Sequence, residues 1–179
     1  MKYFLPIIIL SFVLLSCAKE DETKEETLSD SSLQATWKTA CYTENDNKSI
    51  IFTPTFSGST LTLIDEKHSD TSCATDSRLV LETHTYEVKE VGSKFVFTLG
   101  ATKQRTAQSS SKVTAYNSES KCGHSDWQLN VAKACSDENA GDKVYCLYEV
   151  SGSTLYVNCD DSAYPTSLTK NSSSTFTKQ

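Results

Sequence analysis

Seven cysteines and three histidines hold most of the chain's reactive chemistry. No Cys-x-x-Cys pair occurs, and His68, His84 and His124 are scattered. Cys122-Gly123-His124 is the nearest thing to a metal-ligand pair, and it lacks partners at zinc spacing. A nucleophilic serine needs a base and an orienting group, yet no Gly-x-Ser-x-Gly elbow is present. His124-Ser125-Asp126 brings the three residue types together, but neighbours in an extended segment point to opposite faces and cannot form a relay. Asp160-Asp161 reads as a solvated turn rather than a glycosidase pair. Neither a glycine-rich phosphate loop nor a His-Glu-x-x-His zinc motif occurs. The expectation is a non-enzymatic protein with no metal and no cofactor.

The cysteines find another use once the N-terminus is read. Lys2 supplies a positive start, an uncharged apolar run follows from Tyr3 to Leu15, and small Ser16 precedes Cys17. This is the layout of an export signal. A membrane span needs ~20 apolar residues, and this run is shorter and interrupted by Pro6. Residues 1–16 are therefore expected to be removed. From Ala18 to Ser32 six carboxylates stand against two lysines, with Leu28 nearly the only apolar side chain. Such a segment cannot bury enough surface to offset its ordering entropy, so residues 17–32 read as a disordered acidic tether. Residues 33–179 form one domain of a size that supports a single core. Much of the chain's net charge of −6 sits in the tether, and the domain carries no basic stripe, which disfavours nucleic acid as a partner.

In an exported domain, Cys41, Cys73, Cys122, Cys135, Cys146 and Cys159 read as a disulfide framework. The expected pairs are Cys41–Cys73, Cys122–Cys135 and Cys146–Cys159. Cys146 and Cys159 flank the Ser151-Gly152 turn and point the same way, diagonally offset. Cys135–Cys146 with Cys122–Cys159 is the alternative.

The elements that carry these residues show a period of two, the mark of half-buried strands. Phe95, Phe97 and Leu99 alternate with Lys94, Val96 and Thr98, and Trp127, Leu129 and Val131 alternate with Gln128, Asn130 and Ala132. Val144, Cys146 and Tyr148 share a face, and Leu155, Val157 and Cys159 share the next. Turn signals at Gly58, Gly92, Gly141 and Gly152 separate the runs. Pro54 cannot donate to a ladder and predicts a bulge or an edge. Residues 102–120 are expected to hold one strand near 103–107 and a short one at 113–116. No stretch has sustained helical spacing. About eight or nine short strands in hairpin order predict an all-β, antiparallel up-and-down barrel of about eight strands, stapled by disulfides. Its inward face should carry Trp37, Phe95, Phe97, Leu99, Leu129, Val131, Val144 and Tyr148. Trp37, His84, Tyr86 and Phe97 are the candidate ligand-binding residues. Small Thr39, Thr83 and Ala115 would leave space beside them if they too face inward.

Two resemblances add to this reading. Leu14-Leu15-Ser16-Cys17 resembles the bacterial lipobox, which implies palmitate-type acylation of Cys17, cleavage before it and a membrane anchor. Ala18 after the acylated cysteine implies sorting to the cell outer membrane. Cys17-Ala18-Lys19-Glu20-Asp21 also resembles the surface-export signal of some Bacteroidetes lipoproteins. Leu33-Gln34-Ala35-Thr36-Trp37 is similar to the opening Leu-x-Gly-x-Trp of lipocalin-like barrels. Cys122 to Trp127, Leu155-Tyr156 and Tyr164-Pro165 look like segments of small lipocalin-like lipoproteins. Ala35 replaces the usual glycine, and Tyr164 stands where an arginine often stacks on the tryptophan. The resemblance implies an envelope lipoprotein that binds a small apolar or amphipathic molecule inside a barrel. The alternative is an interaction module contacting a protein or cell-wall partner. Two or more acyl chains hold stably to a membrane. Cys17→Ser should therefore move the protein from the membrane fraction to the soluble fraction, and unchanged partitioning would contradict the anchor.

Overall fold

A computed structural model describes residues 26–27, 30–45 and 48–179. The expected signal segment, Cys17 and most of the tether lie outside the described residues. Among the described residues there are twelve strands: β1 (Glu26–Thr27), β2 (Trp37–Thr39), β3 (Tyr42–Asn45), β4 (Lys48–Ser57), β5 (Thr60–His68), β6 (Arg78–Val91), β7 (Lys94–Thr98), β8 (Thr102–Ala107), β9 (Ala132–Ser136), β10 (Lys143–Ser151), β11 (Thr154–Asp160) and β12 (Thr175–Lys178). Among the described residues one α-helix, α1 (Ser110–Ser118), lies between β8 and β9, and short 3-10 turns occur at Thr75–Ser77 and Lys121–Gly123.

The strands form a nearly closed antiparallel barrel. Its hydrogen-bonded order runs β2-β12-β11-β10-β7-β6-β5-β4-β3. The ring closes where the chain before and within β2 returns to β4. Phe56 N–H donates to the Ala35 carbonyl at 3.0 Å, Thr36 bridges Thr55, and Phe52 N–H donates to Thr39 Oγ1 at 2.9 Å. The amides of Phe56 and Phe52 point at this seam, so Pro54 between them faces it too. Pro54 pairs in regular register with Leu63, so the expected edge is found and no bulge accompanies it.

The sequence builds this ring from hairpins. Gly58-Ser59, Gly92-Ser93 and Gly152-Ser153 each join paired neighbours, with the glycine near φ +60°. The serines keep negative φ, which is the type II′ pattern that matches strand twist. The last turn sits further along than the spacing predicts. Ser151 opposes Thr154, so Cys146 faces Cys159 directly rather than diagonally. Their Cα atoms are 4.1 Å apart, the closeness of a pair between ladder hydrogen bonds. All three expected disulfides form: Cys41–Cys73, Cys122–Cys135 and Cys146–Cys159.

Strand β6 divides the molecule into two packed regions. Its C-terminal half pairs with β7, and residues Val80 to Thr83 pair with β8. The main core holds Leu33, Trp37, Phe56, Leu61, Val88, Phe95, Tyr148 and Leu155 among others. A smaller core gathers Val80, Ala107, Tyr116, Trp127 and Cys135 beneath α1.

Three expectations are corrected here. Residues 113–116 are helical, because Ser109 caps α1 by accepting from Lys112 N–H, and Val113 and Tyr116 share its buried side. Residues 127–131 form no strand. Trp127 is held by Asn117 and by its Nε1–H bond to the Lys121 carbonyl, and Asn130 turns the chain at φ 62°. Leu129 and Val131 are consequently 47% and 42% exposed rather than inward. Finally, the end of the acidic segment is docked: β1 pairs with β6, and Tyr148 O–H bonds to Asp30 at 2.9 Å. The folded part therefore begins upstream of Leu33.

Losing one native disulfide from a small domain costs ~2–5 kcal/mol. Cys146→Ala/Cys159→Ala should lower the denaturation midpoint accordingly. A loss under ~0.5 kcal/mol would show that the β10–β11 pairing holds without its staple.

Candidate ligand cavity

The inward face of the ring changes character along its length. Leu61, Leu63, Asp65 and Lys67 follow one another on β5, opposite Tyr86, His84, Glu82 and Val80 on β6. One end is apolar and the other is charged.

At the apolar end lies a cavity of about 410 Å³. Phe52, Pro54 and Phe56 from β4, Leu61 and Leu63 from β5, and Phe95 and Phe97 from β7 form one side. Val157 and Phe176 close the other. Phe52, Leu63, Phe97 and Val157 face inward yet remain only half-buried, which is how apolar walls around unfilled space read. Asn158, Thr169, Asn171 and Ser173 supply neutral polar groups to the lining, and the last three are exposed. No lining residue is charged.

Of the four residues singled out from sequence, Phe97 alone lines the cavity. Tyr86 stacks on Phe97 with ring centroids 4.9 Å apart, and His84 stacks on Tyr86 at 5.6 Å. They support the wall from one layer behind. Trp37 is fully buried, donates to the Leu33 carbonyl at 3.0 Å and lies outside the cavity lining. Lys178, its cross-strand partner on β12, sits 5.7 Å from the ring centroid. Tyr164, which stands at the expected arginine position, packs against Tyr145 instead. Thr39 is inward and buried, whereas Thr83 lies on the opposite face from His84 and Ala115 belongs to α1.

The charged end is internally matched. Ligating atoms of Asp65, Glu82 and His84 lie within 4.8 Å of one another, a grouping that could hold a metal. Cations already face Glu82 and the neighbouring Asp137. Lys67 reaches Glu82 at 3.2 Å, Arg105 pairs with Glu82, and Lys103 lies 3.7 Å from Asp137. His84 sits 3.9 Å from both Asp65 and Asp137. Burial is the main force lowering the His84 pKa, so its imidazole resists protonation despite those carboxylates. At the opposite end of β6, the Tyr148 hydroxyl lies between Glu90 (2.7 Å) and Asp30 (2.9 Å), and burial with these bonds raises its pKa.

No protein-family model matches the chain, and no curated protein matches it.

The His84 environment sets a pH dependence. A histidine whose folded pKa lies below its ordinary 6.5 takes up protons more readily when unfolded. Its contribution to stability is complete above pH 6.5 and is lost as pH falls toward the folded pKa. Between pH 7.5 and 5.5 wild type should lose more stability than His84→Gln. Parallel losses would show that this imidazole is not responsible.

Proposed function

We propose that this protein is a lipid-anchored component of a bacterial cell envelope whose barrel binds a small apolar or amphipathic molecule. The observation that carries the ligand-binding reading is the apolar cavity on the inward face. Its 410 Å³ falls inside the ~300–1,000 Å³ range of small-molecule sites. A ring of eight strands is the size at which side chains either fill the interior or leave room for one small ligand. Here the aromatic side chains line the space without filling it. Neutral amides and hydroxyls at the edge suit a ligand with an apolar body and an uncharged polar end. The anchor reading rests on the signal segment and the lipobox resemblance at Cys17.

Binding rather than catalysis fits the polar groups. His124 Nε2 is 3.1 Å from the Ala134 carbonyl, while Asp126 pairs with Lys133 at 2.8 Å, so the His-Ser-Asp neighbours face different partners. The buried carboxylates Glu82 and Asp137 face lysine or arginine.

The test is direct titration. The chain from Ala18 onward, exported so that its disulfides form, should bind a polarity-sensitive fluorescent probe saturably. A long-chain methyl ester should displace it. Leu63→Trp fills the cavity from β5 and should weaken binding at least tenfold while the melting temperature holds or rises. If wild type shows neither probe binding nor ligand-dependent stabilisation, the interior does not take such molecules.

A further inference from the structure

A second cavity, of about 240 Å³, lies at the other end of β5 and β6, against α1. Its lining includes Lys48, Lys67, Arg105 and Lys112, with Glu82 as the sole carboxylate. That excess runs against the chain's overall net charge of −6. Gathering like charges around one small space is unfavourable unless something neutralises them. Glu82 answers Lys67 and Arg105. Lys48 and Lys112 pair with no carboxylate among the described residues.

The backbone makes this pocket with an irregularity. In a regular strand Lys67 and His68 would point to opposite faces. Lys67 pairs with Val80 but His68 pairs with Arg78, so Leu79 is an extra residue on β6. Bulges of this kind re-aim side chains beside sites. Here Lys67, His68, Leu79 and Val80 all line the same space. His68 is almost wholly buried. Its Nδ1 lies 3.1 Å from the Ala74 carbonyl and Ser77 Oγ, while Nε2 has no hydrogen-bond partner among the described residues. The carboxylate facing Nε2 is Glu66, at 4.0 Å, and Arg78 holds that oxygen at 2.5 Å. Tyr116 forms the wall on the α1 side, with Arg105 and Lys112 each 5.9 Å from its ring.

We propose that this pocket binds a phosphate monoester. Lys48 and Lys112 supply two uncompensated positive charges, and a phosphate monoester carries close to two negative charges near pH 7. Lys67 and Arg105 offer further N–H donors. At ~30 Å³ per water, the space equals about eight waters, enough for an oxyanion and a group the size of one ring. The site is separate from the apolar cavity and does not depend on it.

Calorimetry on full-length protein in non-ionic detergent tests this, with phenyl phosphate as the probe. Phenol and potassium chloride at matched ionic strength serve as controls. Wild type should bind phenyl phosphate saturably and neither control. Lys48→Gln/Lys112→Gln removes charges that hold no carboxylate in place among the described residues, and should weaken binding at least tenfold without changing the melting temperature. The ring resonances of Tyr116, which walls the pocket, should shift on binding in wild type only. Heats no greater than those of potassium chloride, or a double variant that binds as tightly as wild type, would overturn the proposal.

Discussion

Everything in the barrel depends on a three-residue strand. β2 pairs along its length with β12 on one side, while the backbone beside it bonds to β4 on the other. Removing either contact would leave a long edge open and the apolar inward face wet. Trp37 secures this strand by burying its whole side chain in the main core and by donating its indole N–H to Leu33. Lys178 lies over the same ring from the neighbouring strand. Pro54 is tolerated in the middle of β4 because its missing donor faces this seam, where the chain is joined by single bonds rather than a continuous ladder.

Closure explains the apolar cavity. Once the strands form a ring, their inward side chains must share one interior, and the sequence changes from leucine and tyrosine to aspartate, glutamate, lysine and histidine along β5 and β6. The apolar half leaves space, because aromatic rings on β4 and β7 meet edge-on at Phe56–Phe95, 5.4 Å apart, instead of reaching across. The charged half is taken up by ion pairing among Lys67, Glu82 and Arg105. The bulge at Leu79 opens a basic pocket where those strands leave the ring. One fold thus offers two chemically distinct interiors.

Local chemistry made the strands and turns legible. Period-two alternation and Gly-Ser pairs mark the hairpins, and the cysteine positions relative to the Gly152 turn place Cys146 with Cys159. The register of that hairpin was less legible, because one residue more or less in the turn changes which residues oppose each other. Helix α1 escaped because its run of serines serves as a capping segment, and its two apolar contacts are too few to set a period. Trp127 misled because three alternating apolar residues can equally arise in an irregular loop. The cavity was legible at Phe97 only. Which rings touch empty space and which stand behind them, as Tyr86 and His84 do, depends on strand pairings distant in sequence. The basic pocket gave no sequence signal, since its lysines come from β4, β5 and α1.

The open apolar cavity on the inward face of the ring is where we propose that a ligand binds. Methyl-labelled nuclear magnetic resonance tests it most directly, using an uncharged long-chain ester as the ligand. Intermolecular contacts should run from the chain of the ester to the methyls of Leu61, Leu63 and Val157, with none to exposed Leu129 and Val131. Contacts confined to Leu129 and Val131, with the cavity methyls unmoved, would contradict it and place any binding on the outer surface.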